Sequence, residues 1–134
     1  PPSGQPMQRA VLGSGHYLAE EFRFLAAKVA GLASDRFTTI GVVSTGPSEG
    51  KTTVALGLTA ALCRTSEQRA LLLEADLRQP SVERYLGLPR LGGVSEYLAG
   101  RSTSLPVRTV SPPGFAVLAA EILGDGADQP AFLR

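Results

Sequence analysis

The 134 residues carry 43% hydrophobic and 19% charged side chains and a formal net charge of +1, enough apolar content for the core of one small domain. The basic residues stand singly and only two are lysines, so no nucleic-acid-binding arm or other nucleic-acid partner is expected. Cys63 and His16 are each the only residue of their type, which excludes a disulfide framework and a Cys/His metal cluster.

Residues 1–14, opening Pro1-Pro2-Ser3-Gly4-Gln5-Pro6, read as a flexible linker, and 15–134 as the domain. No run reaches the roughly 18 apolar residues of a membrane span, and no signal-peptide pattern opens the chain. Cys63 reads as a small buried hydrophobe, and the expected location is the reducing cytoplasm. The first element is a helix of about four turns. Leu18, Phe22, Leu25, Val29 and Leu32 recur at helical spacing as its apolar stripe, while Glu20, Arg23, Phe24 and Lys28 project away. Ser34-Asp35 ends it.

Thr38 to Ser44 is β-branched and reads as a buried strand. Thr52 to Cys63 is apolar almost all round, which predicts a helix sandwiched between layers. Ala70 to Ala75 predicts a second buried strand, parallel to the first through a βαβ crossover. Beyond Asp76 the prolines and glycines predict irregular chain, broken by a short helix at Val94–Leu98. Phe115 to Ala119 predicts a third parallel strand.

Between the first strand and the second helix stands Thr45-Gly46-Pro47-Ser48-Glu49-Gly50-Lys51-Thr52-Thr53. The general phosphate-binding loop is Gly, four residues, then Gly-Lys-Ser/Thr. Gly50-Lys51-Thr52 satisfies its end; Thr45 holds the first glycine position, with Gly46 after it. Consecutive backbone N–H groups at a helix start cradle phosphate oxygens. Lys51 adds a point charge for the β/γ phosphates, and the Thr52 hydroxyl is placed to ligate Mg²⁺. The second strand ends in Glu74-Ala75-Asp76-Leu77-Arg78-Gln79-Pro80. Ligands sit outside the carboxyl ends of parallel strands, so Asp76 should leave its strand beside Lys51 and Thr52. There it can hold Mg²⁺ through water or take a proton from an attacking hydroxyl. The plainer reading is a turn carboxylate partnered by Arg78. The expected ligands are ATP or ADP with Mg²⁺.

These motifs together resemble the bacterial tyrosine kinases of the capsule and exopolysaccharide type, within the wider clan of deviant P-loop ATPases. The family's Ser-x-x-Pro-Gly-Glu-Gly-Lys-Ser/Thr is matched by Ser44 to Thr52, and its Asp-x-Asp-x-Arg-x-Pro by Glu74 to Pro80. Gly93 to Gly100 echoes a later Gly-Leu-Ser-x-x-Leu-x-Gly, and Glu20 and Arg23 echo an assembly motif, Glu-x-x-Arg-x-x-Arg. The resemblance implies a three-layer α/β P-loop fold with a mainly parallel sheet, and ATP-dependent tyrosine phosphorylation controlling polysaccharide synthesis or export. It also implies catalytic roles for Lys51 and Asp76, metal roles for Thr52, Asp76 and Glu74, and self-association through the N-terminal helix at Glu20 and Arg23. Phe24, on the polar side of that helix with no obvious core to fill, reads either as part of such an interface or as packing onto the Pro-rich linker. A membrane activator protein or fused membrane segment would bring the chain to the inner face of the membrane.

Five departures stand out. Ser48 replaces a loop glycine, Glu74 the first aspartate and Ala26 the last assembly arginine; the third motif, Asp-x-Pro-Pro, and the C-terminal tyrosine cluster have no match. Glu121 is the only substitute considered for the third-motif carboxylate. The chain thus reads as the front half to two-thirds of such a domain, lacking its C-terminal part. The alternatives are a partitioning-type ATPase, disfavoured because Gly46 stands where that group has a signature lysine, and a nucleotide-binding regulatory module without phosphotransfer.

Overall fold

The computed structural model describes residues 17–32, 38–65, 69–89, 92–110 and 114–120. Helix α1, Tyr17–Leu32, packs against helix α2, Lys51–Thr65, and α2 in turn packs against a small sheet. The sheet is formed by β1, Leu71–Leu73; β2, Arg108–Val110; and β3, Phe115–Leu118. Its order is β1-β3-β2, with β1 parallel and β2 antiparallel to β3. Two five-residue helices, α3 at Val82–Leu86 and α4 at Val94–Leu98, fill the stretch between β1 and β2.

Strand β3 is the centre of the core. Phe115 and Val117 are among its fully buried side chains, and Leu118, Ala119 and Ala120 continue the buried run. Each such valine- or phenylalanine-sized side chain contributes about 1.5–3 kcal/mol relative to an exposed one. Helix α2 buries Leu56 through Leu62 without interruption, as an element covered on both sides must. Its threonines fit this apolar setting because Thr59 and Thr65 donate their hydroxyls to the carbonyls of Ala55 and Ala61, each at 2.7 Å.

The stripe that α1 buries differs from the leucine-rich one its sequence suggests. Ala19, Phe22 and Ala26 are buried, with Val29 and Ala30 partly so, whereas Leu18, Leu25 and Leu32 are exposed. Close approach is the reason. The Phe22 ring lies over Gly57 of α2, where an added Cβ would come within 2.3 Å of it. Only small residues fit beside such a contact, so the alanines face inward and the leucines flank the seam.

Three further differences follow from long-range pairing. Residues 38–44 form no strand; Ile40 is 43% and Val43 88% exposed. β-Branched residues favour strands because they suit a pleated, half-buried surface, and among the described residues no ladder partner supplies one. The parallel partner of β1 is therefore β3, not the 38–44 segment, and the sheet expected to be mainly parallel has one parallel and one antiparallel pair. The strand predicted at 70–75 shortens to Leu71–Leu73, and as an outer strand it buries Leu72 but leaves Leu71 and Leu73 exposed. Helix α3 and strand β2 arise in chain expected to be irregular. An ion pair joins them: Arg108 Nη2 lies 2.5 Å from Glu83 Oε1, and Arg108 Nη1 donates to the Pro89 carbonyl. The linker at 1–14, His16 and Glu121 lie outside the described residues.

Candidate phosphate-binding site

Residues 44–50 form a tight turn that runs directly into α2. Gly50 supplies the helix's first acceptor, its carbonyl receiving the Val54 N–H at 2.9 Å. The N–H groups of a helix's first turn have no acceptor within the helix, so the loop's exit is a natural donor cluster. Ser48 adopts a φ of 61° and Gly50 one of 88°. Ser48 thus stands in the left-handed region where the resembled loop has glycine, a conformation that a side chain makes unfavourable.

The loop's donors grip carboxylates of the chain itself. Glu49 Oε2 accepts the Gly46 N–H at 3.0 Å, and both its oxygens accept from the Thr45 hydroxyl at 3.1 Å. The Gly46 N–H, and then the Thr45 hydroxyl, hold the Glu49 carboxyl below its ordinary range. Ser44 closes the base of the turn, donating its hydroxyl to the Gly46 carbonyl at 2.8 Å.

Lys51 Nζ lies 2.7 Å from Asp76 Oδ2, and both side chains are 31% exposed. The hydrogen bond from Lys51 is the main cause lowering the Asp76 carboxyl below its usual range; partial burial opposes it, and the Gln79 N–H, donating to Oδ1 at 3.1 Å, assists. The expected meeting of Lys51 and Asp76 is therefore present, with Asp76 also acting as a turn carboxylate through Gln79. The Gly46 N–H and Lys51 thus each hold a carboxylate oxygen of the chain itself.

Thr52 Oγ1 makes a 2.8 Å hydrogen bond with Ser81 Oγ, which stands immediately before α3. Glu74, expected as a half-exposed strand-end carboxylate behind the metal, is 6% exposed and already saturated. Its Oε1 accepts the N–H groups of Ser81 at 2.6 Å and Val82 at 3.0 Å, and its Oε2 that of Ala120 at 2.9 Å. It brackets the start of α3 to the end of β3, because a buried carboxylate must find donors and backbone N–H groups are the nearest. Among the described residues no group of three or more His, Cys, Asp or Glu side chains could hold a metal. A cation here would rest on Thr52, Asp76 and the phosphates, the arrangement usual for Mg²⁺ at nucleotide sites.

Sequence reasoning missed Ser81. Its only signal is a serine after Pro80 and before Val82-Glu83, the pattern of a helix start. On the exposed side of α1, Arg23 pairs with Glu20 at 2.7 Å and Lys28 stands 4.9 Å over the ring of Phe24. Phe24 is 66% exposed.

The loop-to-helix junction thus presents a backbone N–H and a lysine to carboxylate oxygens, the arrangement of an anion-binding turn. In sequence the chain is similar to the tyrosine-protein kinase ptk of Acinetobacter johnsonii, with 31% identity over 88 residues. That match covers 65% of this chain and 12% of the relative, so the chain spans about one eighth of the length of the protein it matches. No protein-family pattern and no solved structure matches. The relation agrees with a bacterial tyrosine kinase at the family level.

Proposed function

We propose that this chain is an ATP- or ADP-binding P-loop domain of the tyrosine-kinase kind, and that it binds nucleotide far better than it transfers phosphate. The observation that carries the reading is the 2.7 Å approach of Lys51, at the start of α2, to Asp76, just past the end of β1. Two sequence-distant motifs expected to share a phosphate site do lie together. In this reading Lys51 exchanges Asp76 for the β/γ phosphate oxygens, and the N–H groups of the 46–52 turn hold the rest of the phosphate chain. Asp76, once released, accepts a hydrogen bond from a metal-held water or takes the proton of an incoming hydroxyl at its carboxylate. Bound Mg²⁺ would supply charge neutralisation between the β and γ phosphates.

The second reading, a nucleotide-binding module without phosphotransfer, is favoured by Glu74. With the Glu74 oxygens committed to three N–H groups, the carboxylate that stands beside Lys51 is Asp76. Self-association through Glu20, Arg23 and Phe24 and attachment to a membrane partner remain part of the proposal. Among the described residues no helix is long and apolar enough to cross a membrane.

Calorimetric titration of ADP and Mg²⁺ into wild type and Lys51→Ala tests binding. Lys51→Ala should lose about 1.5–3 kcal/mol of affinity, the worth of a charge-assisted contact. Unchanged affinity refutes the site. Incubation with labelled ATP separates the two readings: weak phosphotyrosine formation or phosphate release that Lys51→Ala abolishes supports the poorly transferring kinase-like domain, none at all supports the module, and strong autophosphorylation abolished by Lys51→Ala overturns both.

A further inference from the structure

Ser81 occupies the N-cap position of α3, where a serine ordinarily turns its hydroxyl back onto the helix's own N–H groups. It does not do so: with φ −137° and ψ −15° it makes no side-chain cap hydrogen bond. Glu74 performs the capping instead, its Oε1 receiving the N–H groups of Ser81 and Val82. The Ser81 hydroxyl is thereby released from its local role, and it points across 29 residues of sequence to Thr52 Oγ1 at 2.8 Å.

We infer that Ser81 is a positioning residue for the cation-binding hydroxyl of Thr52, an inference that rests on the nucleotide reading above. A threonine hydroxyl that gives a lone pair to Mg²⁺ must direct its hydrogen elsewhere. With a cation on Thr52, Ser81 Oγ, 2.8 Å away, would accept that hydrogen, and its position is fixed through its own backbone N–H by the buried Glu74 carboxylate. The Thr52 hydroxyl would then be held in one rotamer, with its lone pairs left for the cation rather than rotating freely. This is outer-sphere support of a metal ligand, in which the partner of the ligand, not the ligand alone, sets its orientation. The chain Glu74–Ser81–Thr52 also reaches Ala120 through Glu74 Oε2, so the orientation of Thr52 is tied to the end of β3.

The test is calorimetric titration of ADP into wild type, Ser81→Ala and Ser81→Thr, each with EDTA and with saturating Mg²⁺. Ser81→Ala keeps both backbone contacts to Glu74 and removes no cap bond, so its fold should survive; Ser81→Gly, also tolerated before a helix, serves if it does not. The expected result is a Mg²⁺ enhancement of ADP affinity reduced by a factor of about 3–10, with metal-free affinity within about twofold of wild type. Ser81→Thr, which retains the hydroxyl, should restore the enhancement. An unchanged enhancement in Ser81→Ala, or an equal loss with and without Mg²⁺, overturns the inference while leaving the nucleotide site standing. Failure of Ser81→Thr to recover overturns it as well. Wild type that binds no ADP in either condition overturns the nucleotide reading and this inference with it.

Discussion

Glu74 is the residue at which structure and chemistry make the sharpest demand. Replacing it with alanine strips acceptors from three backbone N–H groups, those of Ser81, Val82 and Ala120. Val82 is 4% and Ala120 1% exposed, so water cannot readily substitute. A buried donor left unsatisfied costs about 1–3 kcal/mol, and relaxation keeps such costs from adding fully. A loss of at least about 3 kcal/mol is therefore expected, against a total stability of about 5–15 kcal/mol for a domain. Glu74→Gln is the finer probe. Its amide oxygen can still serve Ser81 and Val82, but its NH₂ would face the Ala120 N–H donor to donor, costing about 1–3 kcal/mol. Urea unfolding followed by circular dichroism measures both, with ADP and Mg²⁺ titration run in parallel on Glu74→Gln. Stability within about 0.5 kcal/mol of wild type in both variants would refute the bracket, since changes of that size belong to surface positions. A stable Glu74→Gln protein that loses its Mg²⁺ response would return Glu74 to the metal site.

The Asp76 carboxyl is held below the usual carboxylate range of about 3.9, chiefly by the hydrogen bond from Lys51. Stability from this pair is thus present above about pH 3.9 and is lost as pH falls through the lowered native value, so Asp76→Asn should flatten acid unfolding in that window. Urea midpoints measured from pH 5 down to pH 2 check this, and an unaltered acid limb counts against the ion pair. Gly57→Ala should cost about 1–3 kcal/mol in the same assay by forcing the Phe22 ring off α2, and a neutral result would mean that the α1–α2 seam is looser than drawn. Phe24→Ala should shift the chain toward monomer in analytical ultracentrifugation; a wild-type chain already monomeric at high concentration removes the interface.

Some of this protein is dictated locally. Gly50-Lys51-Thr52 followed by an unbroken apolar run announces the loop-to-helix junction and the burial of α2, because a helix's first donors and its periodicity are properties of contiguous residues. The short helix at Val94–Leu98 and the strand at Phe115–Leu118 are legible for the same reason. Asp76 meets Lys51 as expected, although the parallel strand at 38–44 on which that expectation rests does not form. What the chain does with non-local partners was decided only on folding. The rotational phase of α1 depends on Gly57, which lies 35 positions from Phe22 and makes Ala19 and Ala26 better seam residues than the leucines. The 38–44 segment has the local marks of a strand and, among the described residues, no ladder to join, while Arg108–Val110 becomes one because β3 offers it an edge. Glu74 reads in sequence as a metal ligand; three N–H groups brought from residues 81, 82 and 120 make it a bracket instead. A carboxylate or a hydroxyl carries its chemistry in the sequence, but which donors reach it depends on how distant backbone is packed around it.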